Sequence, residues 1–253
     1  TYERFLYING SIGIILIGIA LATFYTGGNF IKNDMNLSSW TNHTYGLEAV
    51  LNPFNVAFGL TIFFLARSQA SLYFINNINE ATIVKRARQQ LKIDALLFLT
   101  FFLVVVVTLC IISVITYTET GFKIVNHKFL TNLIETPIIL VSLLAGAFLV
   151  LYAFYSTLFN TSTKGIWFSG VGTVLTVVSM LSLLGFNQTA IYPSLSDIGS
   201  SLTIENSSGS HYTLTAMSYV SLMVPFVLGY IYLVWKSMDK EKITSEEVES
   251  DHH

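Results

Sequence analysis

Three polar residues of an otherwise apolar chain have the type and position for proton transfer. Glu48 and Asn52 stand four positions apart just before Pro53, and Glu135 lies two positions before Pro137. A carboxyl within a bilayer is costly unless it takes part in a proton path, reaches water or caps a helix N-terminus. We therefore take Glu48, Asn52 and Glu135 as candidates for a polar or proton path. The alternatives are interfacial solvation for Glu48 and helix capping for Glu135.

The sequence also allows predictions about two prolines and two charged residues in or beside apolar runs. Pro53 and Pro225 each remove a backbone hydrogen bond, so we expect both to kink a membrane helix. Arg67 is expected to extend from an inner helix end to lipid phosphates. Asp94 is expected to stand at the start of a membrane helix, near its positive end.

The chain offers few side chains that could hold a metal or a haem. Its five histidines are His43, His127, His211, His252 and His253. None falls inside an apolar run, and Met180, Met217 and Met223, which do, are expected to fill gaps in packing. The single cysteine, Cys110, excludes a CxxC metal site. No catalytic residue and no metal or haem ligand is therefore predicted.

The elements that must position these residues are membrane helices. Of the 253 residues 53% are hydrophobic and only 11% are charged, against about 25% charged in soluble domains. Runs long enough to cross about 30 Å of hydrocarbon predict about six transmembrane helices. They lie near residues 5–25, 47–72, 95–116, 137–159, 166–186 and 213–235. The sequence therefore predicts an all-α integral membrane protein with a single membrane domain over 1–253.

The basic residues predict the orientation, because Lys and Arg accumulate in cytoplasmic loops. With the N-terminus inside, nine of them face the cytoplasm and three face outward. The nine are Arg4, Lys85, Arg86, Arg88, Lys92, Lys164, Lys236, Lys240 and Lys242, and the three are Lys32, Lys123 and Lys128. The C-terminus, with the tail 236–253, is thus expected in the cytoplasm. Because the net charge is −2 and the cations are scattered, a nucleic-acid partner is excluded.

Several short motifs keep their order and approximate spacing across most of the chain. In the first half they are Leu51-Asn52-Pro53-Phe54, Gly59-Leu60 and Lys85-Arg86-Ala87-Arg88. In the second half they are Tyr192-Pro193-Ser194, Ser201-Leu202-Thr203-Ile204, Ser207-Ser208, Tyr212-Thr213-Leu214, Val224-Pro225, Trp235-Lys236 and Lys242-Ile243-Thr244. Together these motifs resemble subunit II of the cytochrome bd-type quinol oxidases.

The resemblance also shows departures from the family pattern. Gln69-Ala70 stands where the family often has His-Gly, and Thr189 stands where it often has proline. The chain is expected to lack the family's N-terminal part, whose helices carry acidic residues linked to a proton route. No catalytic residue of the family is therefore carried over to a position of this chain.

The resemblance implies a division of labour within a membrane complex. A haem-bearing partner, subunit I, would hold haems b and d, oxidise quinol and reduce O₂ to water. This chain, subunit II, would pack its helical bundles against that partner, without a cofactor of its own but with room for a structural quinone or lipid. The implied location is the bacterial cytoplasmic membrane, with membrane lipids and a small accessory subunit as further partners.

Two other functions stay open at this point. A secondary transporter would use kinked helices to form a polar site near the middle of the membrane. The sequence shows no repeated pair of broken helices, which counts against it. A lipid-binding assembly scaffold would support formation of a complex without contributing to its turnover.

Overall fold

Membrane-length helices make up most of the chain. The computed structural model describes residues 2–35, 37–118 and 121–238. In this part, five stretches are long and apolar enough to cross a membrane: Arg4–Thr26, Pro53–Asn77, Ala81–Ile111, Pro137–Leu158 and His211–Met238. A further apolar helix, Gly165–Leu181, has 17 residues and is about 26 Å long at 1.5 Å per residue. The prediction of an all-α integral membrane protein is confirmed.

The helices and strands follow one another in a simple order. The helices are α1 (Tyr2–Thr26), α2 (Pro53–Asn77), α3 (Ala81–Ile111), α4 (Lys128–Glu135), α5 (Pro137–Leu158), α6 (Gly165–Leu181), α7 (Ile204–Ser207), α8 (His211–Ser221) and α9 (Val224–Met238). The strands are β1 (Phe30–Lys32), β2 (Ser38–Trp40), β3 (Ser113–Thr118) and β4 (Gly121–Asn126). They form two antiparallel pairs, with Phe30 opposite Trp40 and Ser113 opposite Asn126.

The connections between the long helices from α1 to α8 gather at two ends of the bundle. One end, called here the short-turn end, holds only residues 78–80 and 159–164. The other, the loop-rich end, holds residues 27–52, 112–136 and 182–210, with both strand pairs. Most polar backbone outside the helices therefore lies at one side of the bundle, where water or a partner can satisfy it.

Hydrogen bonds between distant loops tie the loop-rich end together. The Gly28 N–H donates to the Pro193 carbonyl at 3.0 Å, and the Leu195 N–H donates to the Gly28 carbonyl at 2.9 Å. Gly27 has a φ of +82°, and a Cβ at this position would lie 2.5 Å from the Pro193 oxygen. Because only glycine avoids that overlap and adopts this φ freely, the loop after α1 can cross the later loop closely.

Glycines also set how closely the helices pack. A Cβ at Gly18 of α1 would lie 2.6 Å from the Cα of Gly59 in α2, so these two backbones touch. A Cβ at Gly172 of α6 would lie 2.7 Å from the carbonyl oxygen of Gly146 in α5. Small residues allow such close approach between membrane helices, whose association rests on van der Waals packing. The pairs α1–α2 and α5–α6 are therefore tightly joined.

Pro53 starts a helix instead of bending one. Helix α2 begins at Pro53, because the missing N–H of proline is tolerated in the first turn. Residues 47–51, at the start of the predicted second span, form a separate 3₁₀ helix. The predicted kink at Pro53 is therefore wrong. Pro225 differs: it lies in the first turn of α9, directly after the break at residues 222–223 that separates α8 from α9, so the last span is interrupted close to the expected position.

The last helical stretch stands apart by its exposure. All residues of His211–Met238 are exposed except Thr215 and Val234, which are half-buried. Phe226 is 75% exposed and Leu233 is 65% exposed. The predicted tail 236–253 lies outside the described residues from 239 onward. Lipid or another protein must cover the apolar surface of α8 and α9.

Candidate functional site

Glu48 and Asn52, two of the three candidate residues, line one polar cavity at the loop-rich end. The cavity has a volume of about 80 Å³, which is enough for several water molecules. The end of α1, the following loop, the 3₁₀ helix Leu47–Leu51 and the start of α2 form its walls. Its polar side chains are Thr23, Thr26, Asn29, Glu48, Asn52, Asn55 and Tyr192.

The Glu48 carboxylate is held by three donors. The Thr44 hydroxyl donates to Oε2, and the amides of Asn29 and Asn42 donate to Oε1 at 3.0 and 3.2 Å. These hydrogen bonds, with that of Thr44 the largest cause, lower the pKa of Glu48 from 4.5 to about 2. Glu48 is therefore ionised at neutral pH and accepts protons poorly, so its place in a proton path would be that of a fixed negative charge beside water.

Asn52 and Asn55 form the wall of the cavity at the start of α2. The Asn52 Oδ1 accepts from the Phe54 N–H at 2.9 Å and caps the helix. Asn55 is 1% exposed; its Oδ1 accepts from the Thr26 hydroxyl at 2.9 Å and its amide donates to the Ala49 carbonyl at 3.0 Å. Asn52 thus has a clear role in fixing where α2 begins.

Replacing Glu48 with glutamine should change how stability depends on pH. A carboxyl whose folded pKa is about 2 and whose ordinary pKa is 4.5 stabilises the fold above about pH 4.5, and that contribution is lost as the pH falls toward 2. We expect Glu48→Gln to lower the unfolding temperature at neutral pH and to flatten its decline below about pH 4.5. Thermal unfolding of the detergent-solubilised protein across this range measures both effects.

Glu135→Gln is the matched control for this measurement. It makes the same chemical change at the loop-rich end, where the Glu135 carboxylate accepts from one amide, that of Asn187. If Glu48→Gln shows the acid dependence of the wild type, the hydrogen bonds around Glu48 are not its source.

Glu135, the third candidate, lies apart from the cavity around Glu48. It is the last residue of α4, and its Oε2 accepts from the Asn187 amide at 3.0 Å. The N-cap of α5 is Thr136, without a side-chain capping bond. The alternative interpretation of Glu135 as a cap of the fourth span is therefore wrong.

A second, apolar cavity lies between the helices. It has a volume of about 110 Å³, and each of the helices α1, α2, α3, α5 and α6 contributes residues to its lining. The Tyr25 hydroxyl is buried and has no hydrogen-bond partner among the described residues. Leu151 and Val177 line the cavity and are also 44% and 45% exposed, so it reaches the outer surface of the bundle. Its chemistry suits an apolar chain or ring with one polar atom near Tyr25.

An ion pair inside the bundle is the feature that sequence reasoning missed. The Arg67 Nε lies 3.1 Å from Asp94 Oδ1. The Gln90 amide donates to the same oxygen at 3.0 Å, and Arg67 Nη1 donates to the Tyr7 hydroxyl at 3.2 Å. The Arg67 guanidinium also lies 5.5 Å from the centre of the Phe63 ring. The pair therefore joins α1, α2 and α3.

Both earlier interpretations of these residues are corrected by this contact. Asp94 is 1% exposed and lies in the middle of α3, which begins at Ala81 with Glu80 as its N-cap. Arg67 binds Asp94 instead of extending freely to lipid phosphates. A signal for this pair was present in the sequence. Helices joined by a turn as short as residues 78–80 are antiparallel neighbours, and Arg67 and Asp94 lie at similar numbers of residues from that turn. Their side chains could therefore have been expected to lie at the same level of the two helices.

The described histidines lie at the loop-rich end. His127 precedes α4 and its Nδ1 lies 2.9 Å from the Cys110 carbonyl oxygen, while His43 is exposed in a loop and His211 begins α8. Within residues 2–35, 37–118 and 121–238, no three His, Cys, Asp or Glu side chains converge as a metal site would require. His252 and His253 lie outside the described residues.

Comparison with known proteins adds the family. The family model described as cytochrome bd terminal oxidase subunit II matches residues 1–238. The chain matches none of the curated proteins with which it was compared. The family match covers nearly the whole chain, and the membrane helices described above agree with a subunit of a membrane oxidase. The chain belongs to the family of cytochrome bd terminal oxidase subunit II.

Proposed function

We propose that this chain is the non-haem subunit of a complex that oxidises quinol and reduces O₂ to water. Two quinols each give two electrons and two protons, and one O₂ takes up four of each to form two waters. The observation that carries the proposal is the family match over residues 1–238. A partner, subunit I, would hold haems b and d and the quinol site, and a small accessory subunit would complete the complex.

The side chains of this chain suit a supporting role better than haem ligation. Haem ligands in membrane proteins are His, Met or Cys side chains that project from helices. Here His127 contacts a backbone carbonyl at the loop-rich end, and Met180 is buried in the wall of the apolar cavity. We therefore assign no haem, and no step of the reaction at a haem, to this chain.

The exposed helices α8 and α9 support packing against a partner. Together with the two residues between them, they cover a stretch of 28 residues that has the length and apolarity of a membrane span, and none of these residues is buried within the chain. A helix that is apolar all round needs a protein or lipid environment on every side. We assign one side of His211–Met238 to the haem-bearing subunit.

The two cavities give this chain secondary roles in the complex. The cavity around Glu48 and Asn52 would hold water at the loop-rich end and give protons a way out. The apolar cavity would hold the structural quinone or the acyl chain of a lipid, with the Tyr25 hydroxyl as the donor to its polar end. Its apolar lining and its opening at Leu151 and Val177 support this assignment.

The charges support an orientation with the short-turn end in the cytoplasm. Lys85, Arg86, Arg88, Lys92 and Lys164 all lie at or near this end. Because cytoplasmic loops are enriched in Lys and Arg, the loop-rich end would face outward across the bacterial cytoplasmic membrane. The C-terminus would then be cytoplasmic.

Expression with and without the haem-bearing subunit tests the proposal. We expect the chain alone to show no haem absorption, and the chain with its partner to co-purify as a haem-containing particle that consumes O₂ with quinol. The quinone content of an organic extract of both samples tests the apolar cavity. A haem spectrum from the chain alone, or solute uptake into liposomes that carry only this chain, would contradict the proposal.

A further inference from the structure

Helix α3 is longer than its apolar part. It runs over 31 residues from Ala81 to Ile111, about 46 Å at 1.5 Å per residue. The uncharged stretch 95–111 and the buried Asp94 lie within about 30 Å of the C-terminal end of α3, which is the thickness of the hydrocarbon core. The first turns, 81–92, therefore reach the headgroup layer and beyond, although the predicted third span begins only near residue 95.

Three cations of this projecting segment share one face. Lys85, Arg88 and Lys92 are spaced three and four residues apart, so they lie within a narrow arc of the helix. Arg86 lies about 100° away from Lys85 around the helix axis. Lys85 and Lys92 are exposed and Arg88 is half-buried. The face therefore carries a stripe of three positive charges.

A fourth cation joins this stripe from another pair of helices. The Arg88 Nη2 donates to the Thr161 carbonyl at 2.9 Å, which fixes the stripe beside the turn between α5 and α6. Lys164, three residues later, is exposed at the N-cap of α6. Trp167 follows one turn further and is 53% exposed, as is typical of tryptophan at a membrane interface.

The charge of this cluster is not balanced within the described part of the chain. No Asp or Glu occurs in residues 81–93 or 137–181. The nearest acids along the sequence are already engaged, since Glu80 accepts from Thr82 and Asp94 pairs with Arg67. Among the described residues, none of Lys85, Arg88, Lys92 and Lys164 forms an ion pair. The Arg88 Nε is also buried without a hydrogen-bond partner among them.

We propose that Lys85, Arg88, Lys92 and Lys164 form a binding site for the phosphate of an anionic phospholipid, between the ends of α3 and α6. A lipid headgroup supplies acceptors at the height where the cations stand, and its acyl chains would lie along the apolar surface beside Trp167. Guanidinium and ammonium groups between transmembrane helices are typical ligands of such headgroups. None of these four residues lines either cavity.

Binding of cardiolipin or phosphatidylglycerol to the protein as purified from its membrane tests this site. Each cation near an anionic headgroup contributes a factor of about five to the affinity. We therefore expect Arg88→Gln to weaken binding about fivefold and Lys85→Gln/Arg88→Gln/Lys92→Gln to weaken it about a hundredfold. Native mass spectrometry, or titration with vesicles that contain these lipids in phosphatidylcholine, measures the change.

Arg86→Gln is the matched control, because it removes the same charge from the same helix end but from another face. Lys85→Gln/Lys92→Gln keeps the hydrogen bond between Arg88 and Thr161 and so separates lipid binding from a loss of local structure. If Arg86→Gln weakened lipid binding as much as Arg88→Gln does, general surface charge would explain the effect and the proposal would be overturned. Full competition by inorganic phosphate would also overturn it, since a free anion and not a lipid would then be the ligand.

Discussion

Replacing Arg67 with methionine is expected to destabilise the protein by about 3–5 kcal/mol, the range found when one partner of a buried ion pair is removed. The carboxylate that remains, Asp94, is 1% exposed and would keep only the Gln90 amide as a donor. Its Oδ2 already has no partner among the described residues. A buried charge without its counter-charge is costly in a membrane helix bundle.

The reverse change should cost less, because the two partners differ in exposure. The Arg67 side chain is 27% exposed and contacts the Tyr7 hydroxyl and the Phe63 ring. After Asp94→Asn the guanidinium keeps these contacts, so we expect a loss of about 1.5–3 kcal/mol, as for a broken hydrogen bond to a charged group. Arg67→Met/Asp94→Leu should recover most of the stability, since no unpaired charge is left.

Unfolding of the three variants in mixed micelles measures these differences. The order of stability should be wild type, then the double variant or Asp94→Asn, and last Arg67→Met. If the double variant were as unstable as Arg67→Met, packing of the long Arg67 side chain would explain the loss, and the ion pair would not.

Replacing Gly172 with alanine is expected to destabilise the α5–α6 pair by about 3 kcal/mol, at the upper end of the cost of overpacking. The new Cβ would lie 2.7 Å from the Gly146 carbonyl oxygen, 2.8 Å from Leu149 Cβ and 2.9 Å from Val150 N. Two of these three atoms belong to the backbone, so the helices themselves must move apart. Unfolding in micelles measures the loss.

Gly170→Ala is a control in the same helix. Nothing lies within 4 Å of a Cβ at Gly170, and alanine is favoured over glycine in a helix by up to about 1 kcal/mol. The two substitutions should therefore shift stability in opposite directions. A loss of similar size at both positions would show that helix α6 tolerates no added methyl group for reasons other than contact with α5.

The membrane helices could be predicted from the sequence, because a span requires about 20 consecutive apolar residues and such a run is visible from residue type alone. The resemblance to subunit II of bd-type oxidases is confirmed by the family match over residues 1–238. Helix bounds were harder to predict. Residues 47–51 are apolar enough to belong to the predicted second span, yet α2 begins only at Pro53, with Asn52 as its N-cap. The start of this helix is therefore set by capping, which average hydropathy along the sequence does not report.

The functional candidates show the same limit. Glu48 and Asn52 were identified from their residue types, and the structure brings them into one cavity with Asn55 of the same helix start and Asn29 of the loop after α1. Asn55 is a candidate for lining a polar cavity by its closeness to Asn52 in sequence, with helix packing as the alternative. Asn29 gave no signal, because asparagine in a loop has many structural roles. Arg67 and Asp94 were each interpreted alone, and only the pairing of α2 with α3 reveals that their charges cancel.

The contact between the first and last loops of the bundle has a consequence for the order of biosynthesis. The Ser194 hydroxyl donates to the Phe30 carbonyl, 164 positions earlier. At roughly 5–20 residues per second, the loop after α1 waits about 10 to 30 s for its partner while the intervening helices enter the membrane. Tyr192 and Leu195 complete the wall of the cavity around Glu48, so that cavity closes only after α6 has been translated.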